Sequence, residues 1–180
     1  MVVKQITYAR LDGTRNAATL VTPATRGDGP HPAILYLHWY EPPKPSSNRT
    51  EFLAEAIALA SLGATSLLVD TPWSAESWFA TRDSSRDYEF SVQQAKEVRR
   101  ALDVLLAQGS ADPARVAIVG HDFGAMYGAL AAAADPRVTH LVYMAGSGSM
   151  GEWFLFPRTD VHGRARPRGL DQGAVRAEVA

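Results

Sequence analysis

The residues best suited to chemistry by type and spacing lie in Gly120-His121-Asp122-Phe123-Gly124. A carboxylate stands there between two glycines, after the apolar run Val116–Val119 and before a run of small helix formers. A strand that turns sharply into a helix puts one residue at the tip, in a strained backbone conformation. Positions two before and two after that tip have to be small, because the strand and helix backbones nearly touch. Gly120 and Gly124 meet this requirement, and Ala125 and Gly128 keep the following face thin. Free N–H groups and the helix dipole at the tip stabilise negative charge. Asp122 is therefore either a nucleophile or a helix cap, since Asp is among the best N-cap residues. The flanking glycines weigh against a simple cap, which does not require them.

Other reactive groups are few. The chain has no cysteine, which excludes a thiolate nucleophile, disulfides and cysteine-held metals. Of its five histidines, His31 lies in a loop before a strand and His38 ends that strand, where it reads as a structural hydrogen-bonding residue. His121 adjoins the tip with its side chain directed away from it, His140 is expected to pack within a sheet, and His162 follows the last recognisable strand. Asp70 ends a strand on the side where parallel sheets bind ligands, with a turn carboxylate as the simpler role. Trp73, Trp78 and Phe79, like Met150, Trp153 and Phe154, suit either the walls of an apolar pocket or ordinary core packing. Arg99 and Arg100 read as solvated charges on a long helix.

The elements that must position Asp122 follow from periodicity and turn signals. Lys4–Arg10 and Asn16–Thr22 are rich in β formers and are joined through Asp12-Gly13, a hairpin signal. Ala33–Trp39 is a nearly continuous apolar run, as in a strand buried on both faces. Asn48 followed by Glu51 resembles a capping box for a helix carrying Leu53, Ala56, Ile57 and Ala60, which Gly63 ends. Ala64–Asp70 is the next buried strand. A helix follows with Ala95, Val98, Leu102, Leu105 and Leu106 as its buried stripe, closed by Gly109. Then come the strand Val116–Gly120, a helix from Phe123 to Ala134, and the strand Val138–Gly146. This alternation predicts an α/β fold, with a mostly parallel sheet, helices on both faces and an N-terminal antiparallel hairpin. The core is expected over 1–156, and 157–180 as an irregular or disordered tail.

With these motifs placed, the stretch from about Lys4 to Phe156 resembles the α/β-hydrolase superfamily, in its dienelactone-hydrolase-like branch. The strand ending in Leu37-His38-Trp39 and the elbow at Asp122 carry the likeness, with Asp where the branch has Ser or Cys. The resemblance implies a hydrolase of a small ester, lactone or related electrophile, with no cofactor and no metal. It implies an oxyanion hole from the N–H of Phe123 and one from the loop at Tyr40 (or Trp39), where bulky residues replace an expected glycine. An elbow aspartate is similar to that of haloalkane dehalogenases and epoxide hydrolases, which pass through an alkyl-ester intermediate. Many of those carry Trp where this chain has Phe123, which cannot donate to a leaving halide. The histidine and its acid partner come late in the family, leaving His162 as candidate base and Asp160 as candidate acid. Six of a usual eight strands are recognisable, so the chain reads as lacking the last two, as in a truncated hydrolase. A catalytically incompetent hydrolase-fold binding protein is the competing reading.

Composition bounds the rest. With 180 residues and 46% apolar content, a single domain is expected. A formal net charge of −1 gives no nucleic-acid footprint. No apolar run reaches the roughly 20 residues of a membrane span, and the first residues lack a signal-peptide core. A soluble cytoplasmic protein with a small-molecule substrate is the expectation. The strand Val138–Gly146 would be an exposed parallel edge, open to self-association.

Overall fold

The computed structural model describes residues 1–24, 30–40, 47–75 and 77–149. The chain opens with β1 (Val2–Ala9), β2 (Arg15–Thr22) and β3 (His31–Leu37), followed by α1 (Leu53–Ser61) and β4 (Thr65–Val69). A 3-10 turn at Pro72–Ser74, the short α2 (Trp78–Thr81) and a second 3-10 turn at Ser84–Arg86 lead into α3 (Asp87–Leu106). β5 (Ala111–His121), α4 (Phe123–Ala134) and β6 (His140–Met144) complete the described elements.

These strands form one sheet in the order β1-β2-β4-β3-β5-β6. β1 and β2 pair antiparallel and β2 meets β4 antiparallel, whereas β4, β3, β5 and β6 run parallel. The turn that closes the hairpin uses Gly13 at φ 82°, and Asp12 accepts the Thr14 N–H at 2.9 Å. Side chains alternate across the sheet with the strand period of two. Leu35, Leu37, Leu67, Val69, Val116 and Ile118 face α3 and α4, while Tyr36 and Leu68 face α1 with Phe52, Ala56 and Ala60. Helices therefore cover both faces, as the alternation of elements predicts.

Several local expectations are corrected. The Asn48–Glu51 capping box does not form: α1 begins at Leu53 after Phe52, with no side-chain cap, and Asn48 instead accepts the Thr50 N–H at 2.8 Å. Glu51 is drawn elsewhere, to two partners at the ends of β3 and β5. His31 is the first residue of β3 rather than a loop residue, and His140 is exposed at the start of β6 rather than packed. Arg99 and Arg100 are not simply solvated. Arg99 pairs with the buried Asp135 at 3.2 Å, and Arg100 donates to the Ala9 carbonyl at 3.2 Å. In α3 the buried stripe is Gln94, Val98, Ala101, Leu102 and Leu105, so Val98, Leu102 and Leu105 are as expected while Ala95 and Leu106 are only partly buried. The expected boundary at 156, the tail, and Met150, Trp153, Phe154, Asp160 and His162 all lie outside the described residues.

Candidate active site

β5 enters the tip through Gly120, and α4 leaves it at Phe123. Between them Asp122 has φ 54° and ψ −115°, one of two non-glycine residues with positive φ among those described. A side chain in that region costs about 1–3 kcal/mol and persists only where the surroundings over-determine it. The glycines show how they do so. A Cβ on Gly120 would collide with the Gly124 carbonyl and lie 2.6 Å from the Ala125 Cα. One on Gly124 would collide with the Leu37 carbonyl and lie 2.7 Å from the His38 carbonyl. The helix thus sits directly against the ends of β5 and β3. The Asp122 N–H is also tied to β6, donating to the Met144 carbonyl at 2.9 Å.

Asp122 occupies the N-cap position of α4 but makes no side-chain capping bond to that helix. Its Oδ2 accepts the backbone N–H of Tyr40, at 3.3 Å, from the segment that follows β3. Asp122 is only 7% exposed. The Phe123 N–H lies one residue on, at the first position of α4, where helix N–H groups have no intrahelical acceptor. The phenol of Tyr143, on β6, is pushed up by partial desolvation and, after it, by the negative charge of Asp122, although the residue stays 41% exposed.

Histidine placement divides sharply. His38 is buried, its Nδ1 is 2.7 Å from the Trp39 carbonyl, and its Nε2 lies 2.7 Å from the Thr71 hydroxyl and 3.0 Å from that of Ser74. Burial pushes its pKa down to about 4, so it is neutral at ordinary pH. His121 turns away from Asp122 and donates from Nδ1 to Glu51 Oε1 at 2.5 Å, its ring stacked flat on Trp39. Glu51 Oε2 accepts the Trp39 N–H at 2.8 Å. Burial raises the Glu51 carboxyl, opposed by these bonds. None of the four described histidines bonds Asp122; the rings of His38, His121 and His140 are engaged elsewhere.

The aromatic residues meet beside Asp122 and pack on one another. Tyr40 contacts Phe123 at 5.3 Å, Trp78 at 5.4 Å and Phe79 at 5.7 Å between ring centroids. Trp73 stacks on Tyr127 at 5.2 Å and donates its indole N–H to the His38 carbonyl at 3.1 Å. Asp70 serves structure: Oδ1 accepts the Arg49 N–H at 3.0 Å and Oδ2 pairs with the Arg49 guanidinium. Among the described residues no cluster of three or more His, Asp or Glu is placed to hold a metal ion, and no helix is long and apolar enough to cross a membrane.

The sequence does not reveal Glu51, or Ser47, whose hydroxyl donates to the Trp39 carbonyl at 3.0 Å, as members of this neighbourhood. Glu51 lies three residues after Asn48, where a local capping role explained it, and its actual partners are separated from it by 12 and 70 positions.

No protein-family profile matches the chain, and neither does any curated protein sequence. Solved structures do match in fold. A dienelactone-hydrolase-like promiscuous phosphotriesterase from metagenomic libraries superposes with TM-score 0.64 at 22% identity, over 81% of this chain and 59% of its own. A 2,6-dihydroxy-pseudo-oxynicotine hydrolase gives 0.65 at 21% identity, over 86% of this chain and 40% of its own. An α/β hydrolase from a Penicillium species gives 0.65 at 19% identity, over 99% of this chain and 66% of its own. The chain has the α/β-hydrolase fold, and it spans about three fifths of the length of the first of these structures.

Proposed function

We propose that this hydrolase-fold chain acts on a small ester, lactone or related electrophile, with Asp122 in the nucleophile's place. One observation carries the reading: Asp122 is held at positive φ on the strand-to-helix tip, with the Tyr40 N–H on its carboxylate. A capping aspartate accepts an N–H of its own helix with its side chain, and Asp122 makes no such side-chain cap bond. Attack by Oδ1 forms a C–O bond to the electrophilic carbon as the bond to the leaving group breaks, the departing oxygen taking a proton from water. Oδ2 then becomes the carbonyl oxygen of an enzyme ester where the attacked carbon is saturated, or of a mixed anhydride where it is an acyl carbon. The Tyr40 N–H, with that of Phe123, is suited to the oxyanion that forms there when water attacks. That second step needs a base, and His162 with Asp160 remains the candidate pair for it.

The test is trapping. The protein is incubated with an epoxide, a haloalkane and an activated ester, and intact mass is read. An adduct mapped to Asp122 and lost in Asp122→Ala is expected. No adduct, or the same adduct in Asp122→Ala, overturns the reading.

A second reading, a hydrolase-fold binding protein without turnover, is favoured by the burial of Asp122 and the engagement of the described histidines elsewhere. It predicts probe binding without an adduct. We also propose that β6, the last strand of the described sheet and one that exposes Leu141, Val142 and Tyr143, supports self-association. A stable monomer at all concentrations in size-exclusion chromatography would count against this.

A further inference from the structure

The hydrogen bond from Tyr40 to Asp122 depends on the orientation of one peptide plane. That plane joins Trp39 to Tyr40, so the Trp39 carbonyl and the Tyr40 N–H are opposite ends of the same rigid unit. The carbonyl end accepts from His38 Nδ1 at 2.7 Å and from the Ser47 hydroxyl at 3.0 Å. The N–H end points at Asp122 Oδ2. The preceding plane is gripped in the same way: the His38 carbonyl accepts the Trp73 indole N–H, and the Trp39 N–H donates to Glu51. β3 ends at Leu37, so no sheet ladder holds either plane. Side chains supply these partners.

His38 is unusual among these partners because both its nitrogens specify the same tautomer. A carbonyl oxygen can only accept, so Nδ1 must carry the proton that faces Trp39. At the other edge of the ring, the Thr71 N–H, shared with Ser74 Oγ at 3.1 Å, also lies 3.3 Å from Nε2, and toward a donor Nε2 can only accept. Thr71 and Ser74 hydroxyls complete that side. Burial keeps the ring neutral, as this arrangement requires.

We propose that His38, fixed as the Nδ1–H tautomer by Thr71 and Ser74, is the positioning residue that sets the Trp39–Tyr40 peptide plane and so keeps the Tyr40 N–H on Asp122. It touches no substrate. If the plane turned over, the Trp39 carbonyl would face the carboxylate in place of a donor. This inference rests on the reading of Asp122 as the working residue, and its test separates the two.

The first measurement needs no variant. The 15N shifts of the His38 ring in the whole protein should show a protonated Nδ1 and an unprotonated Nε2; the opposite tautomer overturns the proposal. The second uses protein labelled with 15N at its six tyrosines, the Tyr40 amide being assigned by its loss in Tyr40→Phe. That amide should shift when Asp122→Asn removes the charge. His38→Gln, whose amide reaches the Nε2 side and leaves the Trp39 carbonyl with Ser47 alone, should move it likewise. His38→Asn places an N–H near the Nδ1 position and should restore the wild-type shift. Ser47→Ala should move the signal part of the way, and it serves if the His38 variants do not fold. An unmoved Tyr40 amide in folded His38→Gln, or in Ser47→Ala where that variant stands in, overturns the proposal. Asp122 adduct formation should fall at least about tenfold in His38→Gln and recover in His38→Asn. If wild type forms no adduct yet the tyrosine signals behave as stated, the nucleophile reading fails and the positioning role stands.

Discussion

Two neighbouring parts of one sheet are specified in different ways. At the ends of β3 and β5, consecutive peptides are bonded by side chains, that of the adjacent His38 and those of the more distant Glu51 and Asp122, and Asp122 is 7% exposed. One strand over, β6 presents Leu141 at 40%, Val142 at 45% and Tyr143 at 41% exposure. The regions touch, since the Asp122 N–H donates to the Met144 carbonyl. At the elbow, packing and polar partners jointly over-determine the backbone, so a strained residue can be held there. At β6 the ladder to β5 does most of the specifying, and side-chain identity is constrained far less on the outer side.

The sharpest break of this contrast is steric. Gly124→Ala should destabilise by about 3 kcal/mol or more, because its Cβ meets the Leu37 and His38 carbonyls, which are backbone and cannot rotate away. Gly109→Ala, with nothing within 4 Å, should stay within about 0.5 kcal/mol of wild type. Urea midpoints read both. Equal effects would mean that the elbow is not under the close packing described.

The contrast also marks how far sequence reading reaches. The α4 limits, Phe123–Ala134, and the role of Gly120 and Gly124 were legible because both follow from local spacing. So were the hairpin and the parallel core, which follow from period-two patterning and turn residues. What escaped was the wiring between segments. His38 was legible as a hydrogen-bonding residue, but the atoms it holds were not. Glu51 looked like a capping residue because its competing partners, Trp39 N–H and His121, are brought to it only by the fold. His140 looked like a core residue because it adjoins an apolar run, yet at the sheet edge nothing described covers it.

A second test probes the same wiring through protons. His38 is held at about 4 in the folded chain, chiefly by burial, against an ordinary value near 6.5. The unfolded chain therefore binds the extra proton between those values and the folded chain does not. Stability from this source is complete above about pH 6.5, falls as pH drops towards 4, and is gone below it, a total of about 3 kcal/mol. Denaturation across pH 4–7 should show that slope in wild type and its loss in His38→Asn. A parallel pair of profiles would mean that His38 is not buried as a neutral ring.

Backbone strain gives a smaller effect of opposite sign. Asp122→Gly should be more stable than Asp122→Ala by about 1–2 kcal/mol, because glycine adopts positive φ without penalty while alanine keeps the strain. Both lose the carboxylate and its bond to Tyr40, so their difference isolates the backbone. Equal midpoints would argue that the tip relaxes when the side chain is shortened.

The smallest effect on stability should come from β6, and it would carry the most information about association. Val142→Lys puts a charge at a position already 45% exposed, so the monomer's stability should change by no more than about 0.5 kcal/mol. If the edge pairs with another copy, the same change should reduce self-association in light scattering, because an edge charge disfavours strand addition. The elbow offers the control: association should be unaffected by Asp122→Gly, which leaves the outer edge of β6 as it is. Should Val142→Lys instead cost several kcal/mol with no change in association, β6 would be specified by its own packing as strictly as the elbow is, and the distinction between the two regions would fall.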